Sequence, residues 1–159
     1  MLSEKLKFVP VLNSANVSTG TDTDSINISG AAKSTWIFMF GAVTTDITIT
    51  PTTGATEGAK TTAIPCQSAI GGAVIGTAVA ASTASCDVLS AWTVNATAAS
   101  ITTASNKFVV VEVDHSAVAT AGHTWLTMTV AAGTSGICYC VVALAGPRFT
   151  GNRSATVLK

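Results

Sequence analysis

Two histidines, His115 and His123, four cysteines, Cys66, Cys86, Cys138 and Cys140, and eight carboxylates are what this 159-residue chain has for acid–base, nucleophilic or metal chemistry. Their spacing is unfavourable for all three. Asp114 and His115 are sequence neighbours, and on a strand neighbours project to opposite faces, the wrong arrangement for a base and the group that orients it. Cys138 and Cys140 lie two apart and project from one face, where they cannot easily bridge each other. A zinc site wants two Cys pairs or Cys/His pairs, and here a single Cys-x-Cys follows His115 and His123. No GxSxG elbow, HExxH, phosphate loop or strand-following GxGxxG occurs. The chain is therefore read as non-enzymatic, with no catalytic residues, no metal and no cofactor. Its thiols are expected to be buried and inert, with a Cys66–Cys86 pairing left open.

The elements that would position any site read as strands. The hydrophobic period is two. In residues 33–43, Trp36, Phe38 and Phe40 share one face and Thr35, Ile37 and Met39 the other. Ile47 and Ile49 alternate with Thr48 and Thr50. Residues 107–114 set Val109, Val111 and Val113 against Phe108, Val110, Glu112 and Asp114. Leu126, Met128 and Val130 alternate with His123, Trp125, Thr127 and Thr129, a half-buried pattern. The run 137–146 is apolar on both faces and ends at Gly146-Pro147, which suits an interior strand. Weaker strands are expected near the start, with Leu6 and Phe8 inward, around Ile26 and Ile28, and around Val88, Trp92 and Val94. Residues 69–81 fit either a strand or a turn-rich cover. One short helical turn is expected at 114–120, capped by Asp114 or Ser116. Eight to nine strands with no amphipathic helix predict an all-β, single-domain antiparallel β-sandwich or jelly-roll-like barrel. Its domain is 1–159, with 1–20 as an N-terminal arm or strand and 147–159 as a basic tail.

Composition narrows the function. Ala (26), Thr (26), Val (17) and Ser (15) dominate; eight basic residues balance eight acidic ones, and only 10% of residues are charged. Zero net charge argues against nucleic-acid binding, which needs a basic face, and favours association between copies. A mean hydropathy of +0.52 excludes disorder. The first residues carry Glu4, Lys5 and Lys7 and no long apolar core, so they are not read as an export signal. The apolar stretch Ala69 to Ala81 is shorter than the roughly 20 residues that a bilayer span needs. Asn16, Asn27, Asn95 and Asn152 begin glycosylation triplets, read as chance in a Ser/Thr-rich chain. Thr-rich faces without charge leave sheet edges poorly defended, and neighbouring copies would cover them. Trp36 and Trp92 are expected in the core; Trp125, on the Thr face, is a candidate surface anchor. Both ends carry the candidate partner contacts Lys5, Lys7 and Phe8, and Arg148, Phe149 and Arg153, the two phenylalanines fitting core closure as well.

The order TDSINISGAAKSTWIFMFGAV, TDITITPTTGATEGAKTTAIP, FVVVEVD and VVALAGPRF, from about Thr21 to Phe149, resembles the capsid decoration, or cement, proteins of tailed bacteriophages. The resemblance is one of texture and segment order. It implies a β-sandwich or barrel without cofactor or catalysis that binds the major capsid protein and neighbouring copies of itself, with a trimer as the arrangement the resemblance suggests. It also implies a place on the outer capsid surface after synthesis in the host bacterial cytoplasm, with neither nucleic acid nor membrane as partner. The four cysteines are not part of that pattern. The other functional class that fits is a receptor- or carbohydrate-binding module of a head fibre or tail tip, using Trp125. A third, a small hydrolase or lectin, would need a deep pocket at His115 or His123.

Overall fold

The computed structural model describes residues 6–17, 20–43, 45–71, 89–102, 105–132 and 136–147. Two antiparallel sheets pack face to face, with no closed barrel. Sheet A runs β1 (Leu6–Asn16), β12 (Ile137–Pro147), β4 (Ala31–Phe40), β10 (Phe108–Asp114), β7 (Cys66–Ile70) and β8 (Thr93–Ala96). Sheet B is built on β11 (Trp125–Ala132) and β5 (Ile47–Gly54), flanked by β2 (Thr21–Asp22), β3 (Ile26–Asn27), β6 (Thr62–Ala63) and β9 (Ala99–Ile101).

The alternation read from sequence becomes the core. Trp36 and Phe38 of β4, Val109, Val111 and Val113 of β10, and Ile47 and Ile49 of β5 are all fully buried, as are Leu126, Met128 and Val130 of β11. These side chains interdigitate between the sheets, the burial that drives a sandwich together. β12 lies between β1 and β4, an interior strand as its two apolar faces require. The strands beyond the expected eight or nine are the two- and three-residue ladders β2, β6 and β9, too short for alternation to mark them, while β3 is the weak strand expected around Ile26.

Helix α1 (His115–Thr120) follows β10 directly. The Asp114 carboxylate accepts from the Ser116 N–H at 2.8 Å, the expected cap. Its other end closes through Gly122, whose φ of 72° only glycine adopts without strain. There Gly122 N–H donates to Ala119 O and His123 N–H to Val118 O, the paired bonds of a Schellman stop.

Three expectations are corrected. In β1, Val9 and Val11 are buried and Phe8 is exposed, the reverse of the predicted phase, so Phe8 does not close the core. Register is the cause: Val9 stands opposite buried Val142, and an irregularity between Pro10 and Leu12 lets Val11 and Leu12 both turn inward. Trp92 is exposed rather than in the core, because it precedes a four-residue strand that is the last of sheet A among the described residues. The edges are also better guarded than the uncharged faces implied. The flanking strands of sheet B are two or three residues long, and the eleven-residue β1 carries Pro10 and two register shifts.

Candidate functional site

Cross-strand partners share a face, so the register shows what sheet A presents outward. One row runs Phe8, Ala143, Thr35, Glu112 and Gln67 across five strands; the next runs Pro10, Val141, Ile37, Val110 and Ala69. Tyr139, Met39 and Phe108 form a third. Thr93 stands opposite buried Ser68, which turns the flanking Trp92 and Val94 to the same outer side. The large hydrophobics that stand most exposed among the described residues, Phe8 (49%), Met39 (40%), Trp92 (39%) and Val94 (57%), therefore all lie on this one face.

They form two patches. Phe8, Pro10, Ile37, Met39, Tyr139 and Val141 cover β1, β12 and β4; Trp92 and Val94 sit at β8. Between them Val110 and Ala69 are buried yet stand apart from the core cluster between the sheets. Adjacent strands rotate by roughly 20–25°, so the β8 end of a six-stranded sheet is turned by about 100° from the β1 end. One flat partner cannot cover both patches.

At the α1 end of the face, Glu112 gathers polar side chains. Lys33 Nζ and Gln67 Nε2 donate to its Oε2, the latter at 2.5 Å, and Thr35 Oγ1 donates to Oε1 at 3.3 Å. Burial alone would raise this carboxyl; the donors, with Lys33 and Gln67 foremost, outweigh it and hold Glu112 below its ordinary value. Lys33, Gln67, Glu112, Asp114 and Ser116 line a cleft of about 370 Å³ walled by Pro65 and Ala117. Sequence reading set Thr35 and Glu112 on the faces opposite Trp36 and Val111 but did not bring them together, and it gave Lys33 no place. Only the β4–β10–β7 pairing brings them into one cluster, and strand order is not written in alternation.

His115 and three of the cysteines are held inside the fold. His115 is buried; its Nδ1 donates to Ala31 O at 3.0 Å, and its Nε2 meets Ser34 Oγ at 2.9 Å. Trp36 Nε1 donates to the same Ser34 oxygen. A carbonyl only accepts, so Nδ1 carries a proton, and both ring nitrogens of His115 are engaged. His123 Nδ1 is buried without a hydrogen-bond partner beside a pocket of about 130 Å³ that His115 and Thr124 also line, small for an active site. Cys66, Cys138 and Cys140 are buried free thiols. Burial pushes Cys66 up to about 11 and Cys138 to about 12, and raises Cys140 further with Cys138 beside it. Such thiols carry no thiolate at neutral pH. Cys86 lies outside the described residues.

Of the residues singled out as partner contacts, Phe8 stands exposed on the outer face of sheet A. Trp125 is half-buried and alternates with inward Leu126, so it belongs to the outer face of sheet B, pointing away from Phe8. These two do not form one surface. Lys5, Arg148, Phe149 and Arg153, and the side chain of Lys7, lie outside the described residues. Sequence reading missed Met39 and Trp92 as surface residues. For Met39 the signal was present, since it alternates with Phe38 and Phe40.

No protein-family model matches this chain, and no curated protein does. Among solved structures it is similar to the SPBc2 prophage-derived protein YomS, at a TM-score of 0.45 and 11% identity, over 88% of this chain and 93% of that one. A likeness that distant carries nothing about function from that prophage protein to this chain.

Proposed function

We propose that this chain is a non-enzymatic virion protein that decorates and stabilises a tailed-phage capsid by binding the major capsid protein through the β1–β12–β4 part of sheet A's outer face. The observation that carries the reading is the uncharged apolar patch of Phe8, Pro10, Ile37, Met39, Tyr139 and Val141, a surface of the kind that marks protein–protein contact. The order of segments that resembles decoration proteins and the absence of net charge support it. Many weak apolar contacts on a symmetric shell add by multivalency. Copies then sit on the outer capsid surface after synthesis in the host cytoplasm.

Mixing the purified protein with empty capsids, pelleting the particles and quantifying bound chain tests this. A fixed stoichiometry of about one copy per capsid subunit is expected of a symmetric coat. Negligible binding overturns it. The exposed Trp92 favours a second reading, a receptor- or carbohydrate-binding module of a head fibre or tail tip. That module would be present in few copies per virion, and copy number separates the two.

A further inference from the structure

We infer that the Glu112 cleft, with Trp92 beside it, binds an uncharged saccharide unit. The inference does not rest on the capsid reading, because the polar side chains that line the cleft are not among those of the apolar β1–β12–β4 patch.

The polar groups lining the cleft offer both hydrogen-bond signs. Lys33 spends one of its three donors on Glu112 and keeps two; its side chain is 43% exposed. Gln67 gives one amide hydrogen to Glu112 and retains its second hydrogen and its carbonyl oxygen. Oε1 of Glu112 accepts a single long bond, from Thr35, so it has acceptor capacity left. Ser116 adds a hydroxyl that both donates and accepts. These side chains stand on strands and hold one another, so little ordering remains to be done when a ligand arrives.

That array selects ligand chemistry by elimination. An anion would meet the carboxylates of Glu112 and Asp114. A cation would meet the ammonium of Lys33. A neutral group with vicinal hydroxyls meets neither penalty: each hydroxyl donates to a carboxylate or to Gln67 Oε1 and accepts from Lys33 or the Gln67 amide. The cleft's volume of about 370 Å³ is within the range of small-molecule sites.

A sugar ring also has an apolar face. Pro65 and Ala117 wall the cleft. Thr93 stands opposite Ser68, so Trp92, the residue before it, lies diagonally from Gln67 on the outer face, at the spacing of roughly 7–8 Å that an aromatic side chain spans. Trp92 thereby supplies a flat platform next to a polar array, the combination of apolar surface and directed polar groups that a ligand pocket needs.

Amide and indole correlation spectra of the full chain, recorded with millimolar glucose, galactose, mannose or N-acetylglucosamine and with glucosamine and gluconate as charged controls, test the inference. The expected result is a saturable shift at Gln67, Glu112, Ser116 and the Trp92 indole with at least one neutral sugar, weakened about tenfold in Gln67→Ala and in Trp92→Ala. Both variants are expected to keep the remaining spectrum and capsid binding. No shift with any neutral sugar, shifts confined to other residues, or a stronger response to either charged control overturns it. Loss of capsid pelleting with these sugar shifts intact would refute the capsid reading alone.

Discussion

On sheet B the outward positions that alternate with buried Ile47, Ile49 and Pro51 of β5 are Thr48, Thr50 and Thr52, and β11 adds Thr127 and Thr129. On sheet A the corresponding outward positions hold Ile37, Met39, Val110 and Val141, with one polar cluster at Glu112. The threonine face turns its hydroxyls to its own backbone and loops. Thr52 donates to the Thr127 carbonyl, Ser25 and Thr127 hydroxyls meet at 2.7 Å, and Gly58 N–H donates to Ser25. Even its ion pair is local, Lys60 Nζ lying 2.6 Å from Asp22 with Thr129 donating to the same carboxylate. The apolar face of sheet A has no such self-satisfying pattern. Two outer surfaces of one sandwich thus differ in kind: one turns its hydroxyls to its own backbone and loops, and the other leaves Phe8 and Met39 in water, which is where a partner gains most.

The sharpest break in this comparison comes from charge. Met39→Asp combined with Val141→Asp is expected to weaken capsid binding by about 100-fold or more, because a buried unpaired charge at an interface centre is costly. Thr48→Asp with Thr50→Asp is expected to change it by less than about twofold. Titrated pelleting reads both, with thermal unfolding as the control for folding.

Stability reverses the order of the faces. Thr127→Val removes the buried partner of Ser25 and is expected to cost about 1–2 kcal/mol. Thr35→Val on sheet A loses only a 3.3 Å contact, and about 0.5 kcal/mol or less is expected. Denaturant titration of the two variants checks the difference.

Acid sharpens the contrast between the two carboxylates. Burial pushes Asp22 and Glu112 up, but their hydrogen-bond donors and neighbouring lysines prevail, and both end below their ordinary values. A depressed carboxylate contributes stability that is present above its unfolded value, about 4, and is lost as pH falls through the lower folded value. Tm is therefore expected to decline below about pH 4, and Glu112→Gln and Asp22→Asn are each expected to flatten part of that decline. A decline unchanged in both variants contradicts these assignments.

The smallest effect is on the inner face of sheet A, where the thiols sit. Cys66, Cys138 and Cys140 are expected to stay unmodified by a thiol reagent at pH 8 in the native protein and to react after denaturation, read residue by residue by mass spectrometry.

The long strands were legible in the sequence because alternation over seven or more residues has one good solution. Trp36/Phe38/Phe40, Val109/Val111/Val113 and Leu126/Met128/Val130 all face inward as their period requires, and the Asp114 cap of α1 follows from its chemistry. Phe8 was misplaced because no residue type announces where β12 will set the phase of β1, and the pairing of Val9 with Val142 turns Phe8 outward. Trp92 was misplaced because alternation cannot say that a strand is an edge. The Glu112 cluster was invisible for a related reason: Lys33, Gln67 and Glu112 are separated by 34 and more positions and meet only through strand order. Local pattern fixes which side of a strand is buried, while pairing decides which outward side chains become a surface.

Hydroxyl-radical footprinting of the protein free and bound to capsids tests the central claim most directly. The account predicts that Phe8, Met39 and Tyr139 become protected on the particle while Trp125 on sheet B and Trp92 at the β8 end keep their reactivity. Protection of Trp125 with Met39 and Tyr139 unchanged would contradict it and make the threonine face the docking surface.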